Sequence, residues 1–244
     1  MSTLALILAR AGSKGVPSKN IRPIAGRPCV EWTIDFARAA RTIDRIAIST
    51  DSPEAARIAA RHGIDIIDRP PSLASDIATI DEAARHALES LDNPAIDTIA
   101  ILYANIPVRP AGLLDEAIAL LRSTGAHSVQ SYAPVGKNHP FWTAIVDPAS
   151  GAVRPWQGDV LNHNIFRRQD LPPAHIPDGA ILIVTRDALM LRIPDVAPGP
   201  HAFLGALRRG IVTDPGAVID IDSEVDLLVA DAILRTRAAP IPTA

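Results

Sequence analysis

The sequence predicts an α/β fold on a mostly parallel sheet, and three observations carry that expectation. Leu4-Ala5-Leu6-Ile7-Leu8-Ala9 is an apolar run stopped by charge and glycine, the pattern of a strand buried on both faces. From there to Gly125, short apolar runs alternate with helical patterns, which implies right-handed strand–helix–strand crossovers. At 244 residues with 48% hydrophobic content, the chain can bury one large core. Residues 1–244 therefore read as one domain, with an irregular insertion at about 129–178.

After the first strand and its loop, Pro28 to Ala40 reads as a helix with Val30, Ile34 and Ala37 on one face. Arg45 to Thr50 is a second strand. Ser52-Pro53-Glu54 opens a helix by N-cap and N1 proline, and Gly63 stops it. Ile64 to Ile67 is a short third strand. Thr79 and Glu82 form a capping box for a helix reaching about Leu91. Ile99 to Tyr103 is a fourth strand, and Pro110 to Thr124 a helix with Leu113, Leu114, Ile118 and Leu121 inward, ended by Gly125.

From Val129 the pattern becomes irregular, with Pro134, Pro140, a strand from Trp142 to Val146, a turn ending at Gly151 and a proline-rich stretch in the 170s. Trp142 and Trp156 lie inside it, which marks an insertion rather than a linker. The parallel pattern is expected to resume with Ala180 to Val184, Gly210 to Thr213 and Ala217 to Ile221. Ser223 caps a last helix whose Leu227, Leu228, Ala230, Ile233 and Leu234 are expected to face the sheet. Pro240 to Ala244 reads as a frayed tail.

Charge is distributed unevenly. Met1 to Val30 holds five cations (Arg10, Lys14, Lys19, Arg22, Arg27) and no acid, although the net charge of the chain is −3. Gly12 and Gly15 let the backbone approach a ligand and turn its N–H groups toward it, as phosphate cradles do. Neither Gly-x4-Gly-Lys-Ser/Thr nor Gly-x-Gly-x-x-Gly can be laid on this loop. Of the 24 Lys and Arg residues only Lys14, Lys19 and Lys137 are lysine, and two of these fall here, where a compact ammonium suits phosphate. The alternative is a solvated basic loop.

Asp220 and Asp222 stand two apart at the end of an expected strand, so both carboxylates share a face. Mg²⁺ is typically held by one or two carboxylates plus substrate phosphates, which this pair could offer opposite Arg10, Lys14 and Lys19. Alternatively Asp222 helps cap the last helix. Arg69, Ser75 and Asp76 lie in a polar connection, where Arg69 could pair with Asp68 or Asp76. Asp51 suits a turn as well as a catalytic role, while Asn20 and Ser49 suit polar contacts.

Several classes are set aside. No apolar run approaches the roughly 18 residues of a membrane helix, and no signal-peptide pattern opens the chain, so a cytoplasmic protein is expected. Cys29 is the only cysteine, and the seven histidines show no zinc spacing. A pI near 6.1 and 4% aromatic content argue against nucleic acid as a partner.

Several motifs in order, Ala9-Arg10-Ala11-Gly12-Ser13-Lys14-Gly15 with Lys19-Asn20, Ile48 to Ser52, Arg69-Pro70, Arg168 to Pro172, Asp178-Gly179-Ala180 and Ile219 to Asp222, resemble the acylneuraminate cytidylyltransferase family, the CMP-sialic acid synthetases. The resemblance implies a Rossmann-like nucleotidyltransferase sheet. It implies a Mg²⁺-dependent transfer of CMP from CTP to an acidic 2-keto-3-deoxy sugar such as N-acetylneuraminate. It further implies a homodimer docked through the insertion. On this resemblance Arg10, Ala11, Gly12, Ser13, Lys14, Lys19, Asn20, Ser49, Asp51, Arg69, Ser75, Tyr103 and Asn105 belong to the nucleotide site. Arg10, Lys14, Lys19 and Asp222 are then catalytic, and Asp220 and Asp222 are the metal aspartates. Lys137, Arg167, Arg168 and Gln169 are the sugar candidates, since a guanidinium can grip a carboxylate with two parallel hydrogen bonds; a solvated basic surface is the alternative. His163 suits a structural role or a minor sugar contact.

One departure stands out. The family's Leu-Gln-Pro-Thr-Ser-Pro-Leu-Arg appears as Leu102-Tyr103-Ala104-Asn105-Ile106-Pro107-Val108-Arg109. Tyr103 replaces the Gln that helps recognise the base, leaving open another acidic sugar, another nucleotide, or a non-catalytic nucleotide-binding protein.

Overall fold

The computed structural model describes residues 2–12 and 15–238. Seven strands form its main sheet: β1 (Ser2–Ala9), β2 (Arg45–Thr50), β3 (Asp65–Asp68), β4 (Ile96–Tyr103), β5 (Ser128–Pro134), β6 (His175–Thr185) and β7 (Arg208–Val212). Their spatial order is β7-β5-β6-β4-β1-β2-β3. β1 pairs in parallel with both β2 and β4, β2 with β3, and β5 with β7.

Period-two alternation along β1 explains the layers. Ala5, Ile7 and Ala9 pack on one face with α1 (Cys29–Ala39), α2 (Pro53–Arg61) and α4 (Leu113–Thr124). Leu4, Leu6 and Leu8 pack on the other with α3 (Ile80–Ser90) and the short helix Arg186–Leu189. Ser52 accepts from the Ala55 N–H at 3.2 Å, and the Thr79–Glu82 capping box is present, so both expected helix starts form as read.

Four expectations need correction. First, β6 runs antiparallel to both β4 and β5, so the sheet is mixed there. A hydrophobic run alone carries no direction; the reversal comes from the chain returning beside β5. Second, Val129 to Tyr132 and residues 175–178 belong to the sheet rather than to the irregular segment, which spans 135–174. That segment carries a small hairpin, Ala144–Val146 with Val153–Pro155. Third, Ala217 to Ile221 forms no ladder, only a bridge between Val108 and Ile219. Fourth, α5 (Glu224–Ala238) does not lie on the sheet. Leu227, Ala230, Ile233 and Leu234 pack on a separate cluster with Val16, Ile24, Cys29 and Ile221, while Leu228 is 67% exposed. Smaller differences are helix starts at Cys29 and Leu113, one and three residues after the expected prolines. The tail from Pro240 lies outside the described residues.

Candidate active site

The parallel strands β1, β2 and β4 all end on one edge of the sheet, where ligands of such sheets bind. A cavity of about 420 Å³ opens there. Its walls include Arg10, Gly15, Lys19, Asn20, Arg69, Ser75, Tyr103, Asn105 and Asp222, drawn from the first loop, the connection after β3, the end of β4 and the turn before α5. Most of the nucleotide set expected from the sequence is therefore in one cleft. Ser13 and Lys14 lie outside the described residues.

The first loop is fixed by hydrogen bonds to its neighbours. Asp51 Oδ1 accepts from the Ala11 N–H at 2.7 Å, so Asp51 acts here as a loop anchor. Asn20 Nδ2 donates to the Arg10 carbonyl at 2.8 Å, while its Oδ1 is buried with no partner among the described residues, an acceptor left for a donor in the cleft. Gly15 presses on the far wall: a Cβ there would overlap the main-chain carbonyl of Asp222.

Arg69 is buried and paired with neither Asp68 nor Asp76. Its Nε donates to Ser49 Oγ at 3.0 Å and its Nη2 to the Ser49 carbonyl at 2.8 Å. Burial lowers its pKa, and Asp51 opposes that shift. Arg10 instead donates to Asp76 Oδ1 at 2.8 Å, a contact for which the sequence offered only a polar connection.

The two aspartates occupy one side of an extended segment, because Ile219 and Ile221 between and beside them turn into the cluster under α5. Asp220 accepts from the Asn105 amide, and Asp222 Oδ1 accepts from Lys19 Nζ at 2.7 Å. Burial first, and then the charge of Asp222, push the Asp220 carboxyl up to about 6. The helix cap falls to Ser223, whose Oγ accepts from the Asp226 N–H at 3.3 Å while Asp226 Oδ2 accepts from the Ser223 N–H at 2.7 Å. Asp222 thus keeps its carboxylate for the cleft.

Among the described residues no group of three or more His, Cys, Asp or Glu comes together as a metal cage. A pair of carboxylates, one burdened by the charge of the other, still fits a divalent cation that takes its remaining ligands from phosphate and water.

Tyr103 lines the cleft with its ring against Gly179, where a Cβ would sit 3.6 Å from the ring and 3.0 Å from Ile106. Burial, then Asp220, push its phenol up to about 12. The sugar candidates stand elsewhere. Lys137, Arg167, Arg168 and Gln169 are exposed on the 135–174 segment, and Arg168 borders a second cavity with His139 and Pro172. His163 stacks on Phe141 with centroids 4.0 Å apart and hydrogen-bonds the Gln157 carbonyl, so its contacts are internal.

A cationic cleft at the carboxyl edge of a mostly parallel sheet, with Asp222 on its wall and Asp220 held beside it by Asn105, defines a nucleotidyltransferase-type α/β protein. The chain belongs to the cytidylyltransferase family, whose model matches residues 4–153. It is 31% identical over 231 residues to an N-acylneuraminate cytidylyltransferase of Oncorhynchus mykiss, covering 93% of this chain and 49% of that one. The counterpart from Streptococcus agalactiae serotype III (strain NEM316) is 31% identical over 193 residues, 78% of this chain and 45% of that one. The chain thus spans about half the length of these relatives. A Campylobacter coli protein named post-translational flagellin modification protein B is 29% identical over 238 residues, covering 96% of this chain and 95% of that one.

Among solved structures, CMP:2-keto-3-deoxy-manno-octonic acid synthetase complexed with CTP superposes with TM-score 0.71 at 15% identity, covering 97% of this chain and 100% of that one. The 4-diphosphocytidyl-2C-methyl-D-erythritol synthase of Anaerococcus prevotii DSM 20548 gives 0.64 at 16% identity, covering 96% and 98%. At these identities the likeness establishes the fold. Among the described residues no helix is long and apolar enough to cross a membrane.

Proposed function

We propose that the protein transfers CMP from CTP to the anomeric hydroxyl of an acidic 2-keto-3-deoxy sugar of the N-acetylneuraminate class, releasing pyrophosphate, with Mg²⁺ as cofactor. The observation that carries this reading is the convergence of Arg10, Lys19, Arg69 and Asp222 on one cleft, supported by the names of the relatives. Phosphoryl transfer of this kind asks the protein mainly for positioning and charge neutralisation. Arg10, Lys14 and Lys19 bind the triphosphate and stabilise charge moving onto pyrophosphate. Asn20 offers its orphaned Oδ1 to a nucleotide donor. Asp220 and Asp222 hold the metal, which when bound polarises the α-phosphate and lowers the pKa of the attacking hydroxyl.

The 135–174 segment is proposed to carry the sugar contacts Lys137, Arg167, Arg168 and Gln169 and to dock on a second copy. In support, Trp156 is 64% and Phe166 95% exposed on it, an unusual apolar display for a free surface. The acceptor site is then completed across a dimer. A second reading, transfer to a different acidic sugar, is favoured by Tyr103 in the cleft.

Thermal unfolding with CTP, UTP, GTP and ATP, each with and without Mg²⁺, tests the nucleotide half. A ligand at 100 times its Kd adds about 2.7 kcal/mol, or about 5–10 °C for a chain of this size. A Mg²⁺-dependent shift with CTP alone is expected; a shift with another nucleotide alone overturns the cytosine assignment. Pyrophosphate release across a panel of acidic sugars then identifies the acceptor.

A further inference from the structure

Arg109 is a buried cation that makes no ion pair among the described residues. Its guanidinium is satisfied by oxygens instead. Nε donates to the Ala180 carbonyl at 2.8 Å, Nη1 to Thr33 Oγ1 at 3.0 Å and to the Ile106 carbonyl, and Nη2 to the Tyr103 carbonyl at 2.8 Å. The same fork lies over the Phe36 ring at 5.0 Å. A planar group with donors in fixed directions can hold four acceptors at once; an ammonium cannot match that arrangement.

The acceptors share a purpose. Tyr103 and Ile106 flank the turn that leaves β4, and the Ala104 carbonyl between them accepts from the Cys29 thiol at 3.3 Å. Every carbonyl of the turn except that of Asn105 is thereby drawn inward. The Asn105 carbonyl accepts from the Ile221 N–H at 3.0 Å, and its side-chain amide donates to Asp220. The turn therefore joins a buried fork on one side to the aspartate segment on the other, with Tyr103 in the cleft between.

We propose that Arg109 is a positioning residue for the nucleotide site, setting the 103–106 turn so that Asn105 holds Asp220 in place. The inference rests on the cytidylyltransferase reading for its effect on rate, while its geometric part stands apart from it. Arg109 itself does not line the cleft; it meets the cleft wall only at the main-chain carbonyl of Tyr103.

The test uses the full chain, Arg109→Lys, and Thr33→Val as a milder variant that removes one oxygen of the clamp without changing side-chain shape. In the metal-free and nucleotide-free protein, the Asn105 side-chain amide resonances, assigned by their loss in Asn105→Ala, are expected to move in Arg109→Lys and to a lesser extent in Thr33→Val. With CTP, Mg²⁺ and an accepted sugar, well below each variant's unfolding midpoint, kcat should fall about tenfold or more in Arg109→Lys while the CTP KM changes little. Combined with Asn105→Ala, the loss should not exceed that of the slower single variant, because both act through one turn. Unmoved Asn105 resonances in a folded variant, or rate losses that multiply, overturn the proposal. If Arg109→Lys does not fold, Thr33→Val decides by the same readouts. A wild type without CTP turnover removes the functional reading alone, since the resonances still report the clamp.

Discussion

Lys19 Nζ lies 2.7 Å from Asp222 Oδ1, joining residues 203 positions apart at the mouth of the cleft. A cation suited to phosphate and a carboxylate suited to a metal thus neutralise each other in the ligand-free protein. Under the proposed function both would be released when Mg²⁺ and a triphosphate bind together. Asp222→Ala should fold yet lose about two orders of magnitude in turnover, since a catalytic metal is worth several kcal/mol. Near wild-type pyrophosphate release from the purified variant would remove Asp222 from the metal site.

Gly15→Ala probes the opposite wall. The added methyl must displace the Asp222 carbonyl, and that strand of chain is held by Asn105 and Asp226. A CTP affinity reduced about tenfold or more is expected by calorimetry, with a smaller change in unfolding midpoint. Unchanged affinity would mean that the first loop can retreat without cost.

Arg168→Ala should leave CTP affinity unaltered and raise the sugar KM, because Arg168 borders a cavity separate from the cleft. An equal effect on both substrates would remove it from the acceptor site. Steady-state kinetics with each substrate varied in turn separates the two.

Cys29 gives a pH prediction. Burial pushes its thiol up to about 12 from an ordinary value near 9, so the folded state retains a proton that the unfolded chain gives up. Stability should therefore decline as pH rises from about 9 to about 12, and the Cys29→Ala variant should lack this contribution. At pH 8 the native thiol should resist a disulfide reagent and react fully in urea. Prompt native reaction would contradict its burial.

Gly205→Ala is a stability test at a position outside the cleft lining. Gly205 has φ +68° and a Cβ would lie 2.5 Å from that of His127, whose Nδ1 accepts the Ala206 and Leu207 amides at 3.1 and 3.2 Å. A loss of about 2 kcal/mol or more in urea unfolding is expected.

The parts legible in the sequence were those written locally. Ser52 and Thr79 announce their helices, and the alternation of Leu4, Leu6 and Leu8 with Ala5, Ile7 and Ala9 announces a sheet covered on both faces. Arg10 and Lys19 marked the cleft, and the two-residue spacing of Asp220 and Asp222 marked their common side. What escaped depends on neighbours distant in the chain. Nothing in Ala180 to Val184 states the direction of β6, and nothing near Leu228 tells a helix to dock on a satellite cluster rather than on the sheet. Asp76 and Arg109 read as ordinary charges until Arg10 and the 103–106 turn come beside them.

The reversed strand also sets how freely this architecture can vary. Because β6 runs against β5, Pro134 and His175 are cross-strand partners, and everything between them leaves and re-enters the sheet through one doorway at the cleft end. A replacement for residues 135–174 would need to match the sheet only at that doorway. If, as proposed, the segment carries the sugar contacts, its exchange between relatives would be a route to a new acceptor with the nucleotide half untouched, whereas a change at Tyr103 must be accommodated by Gly179, Ile106 and the clamp beneath them.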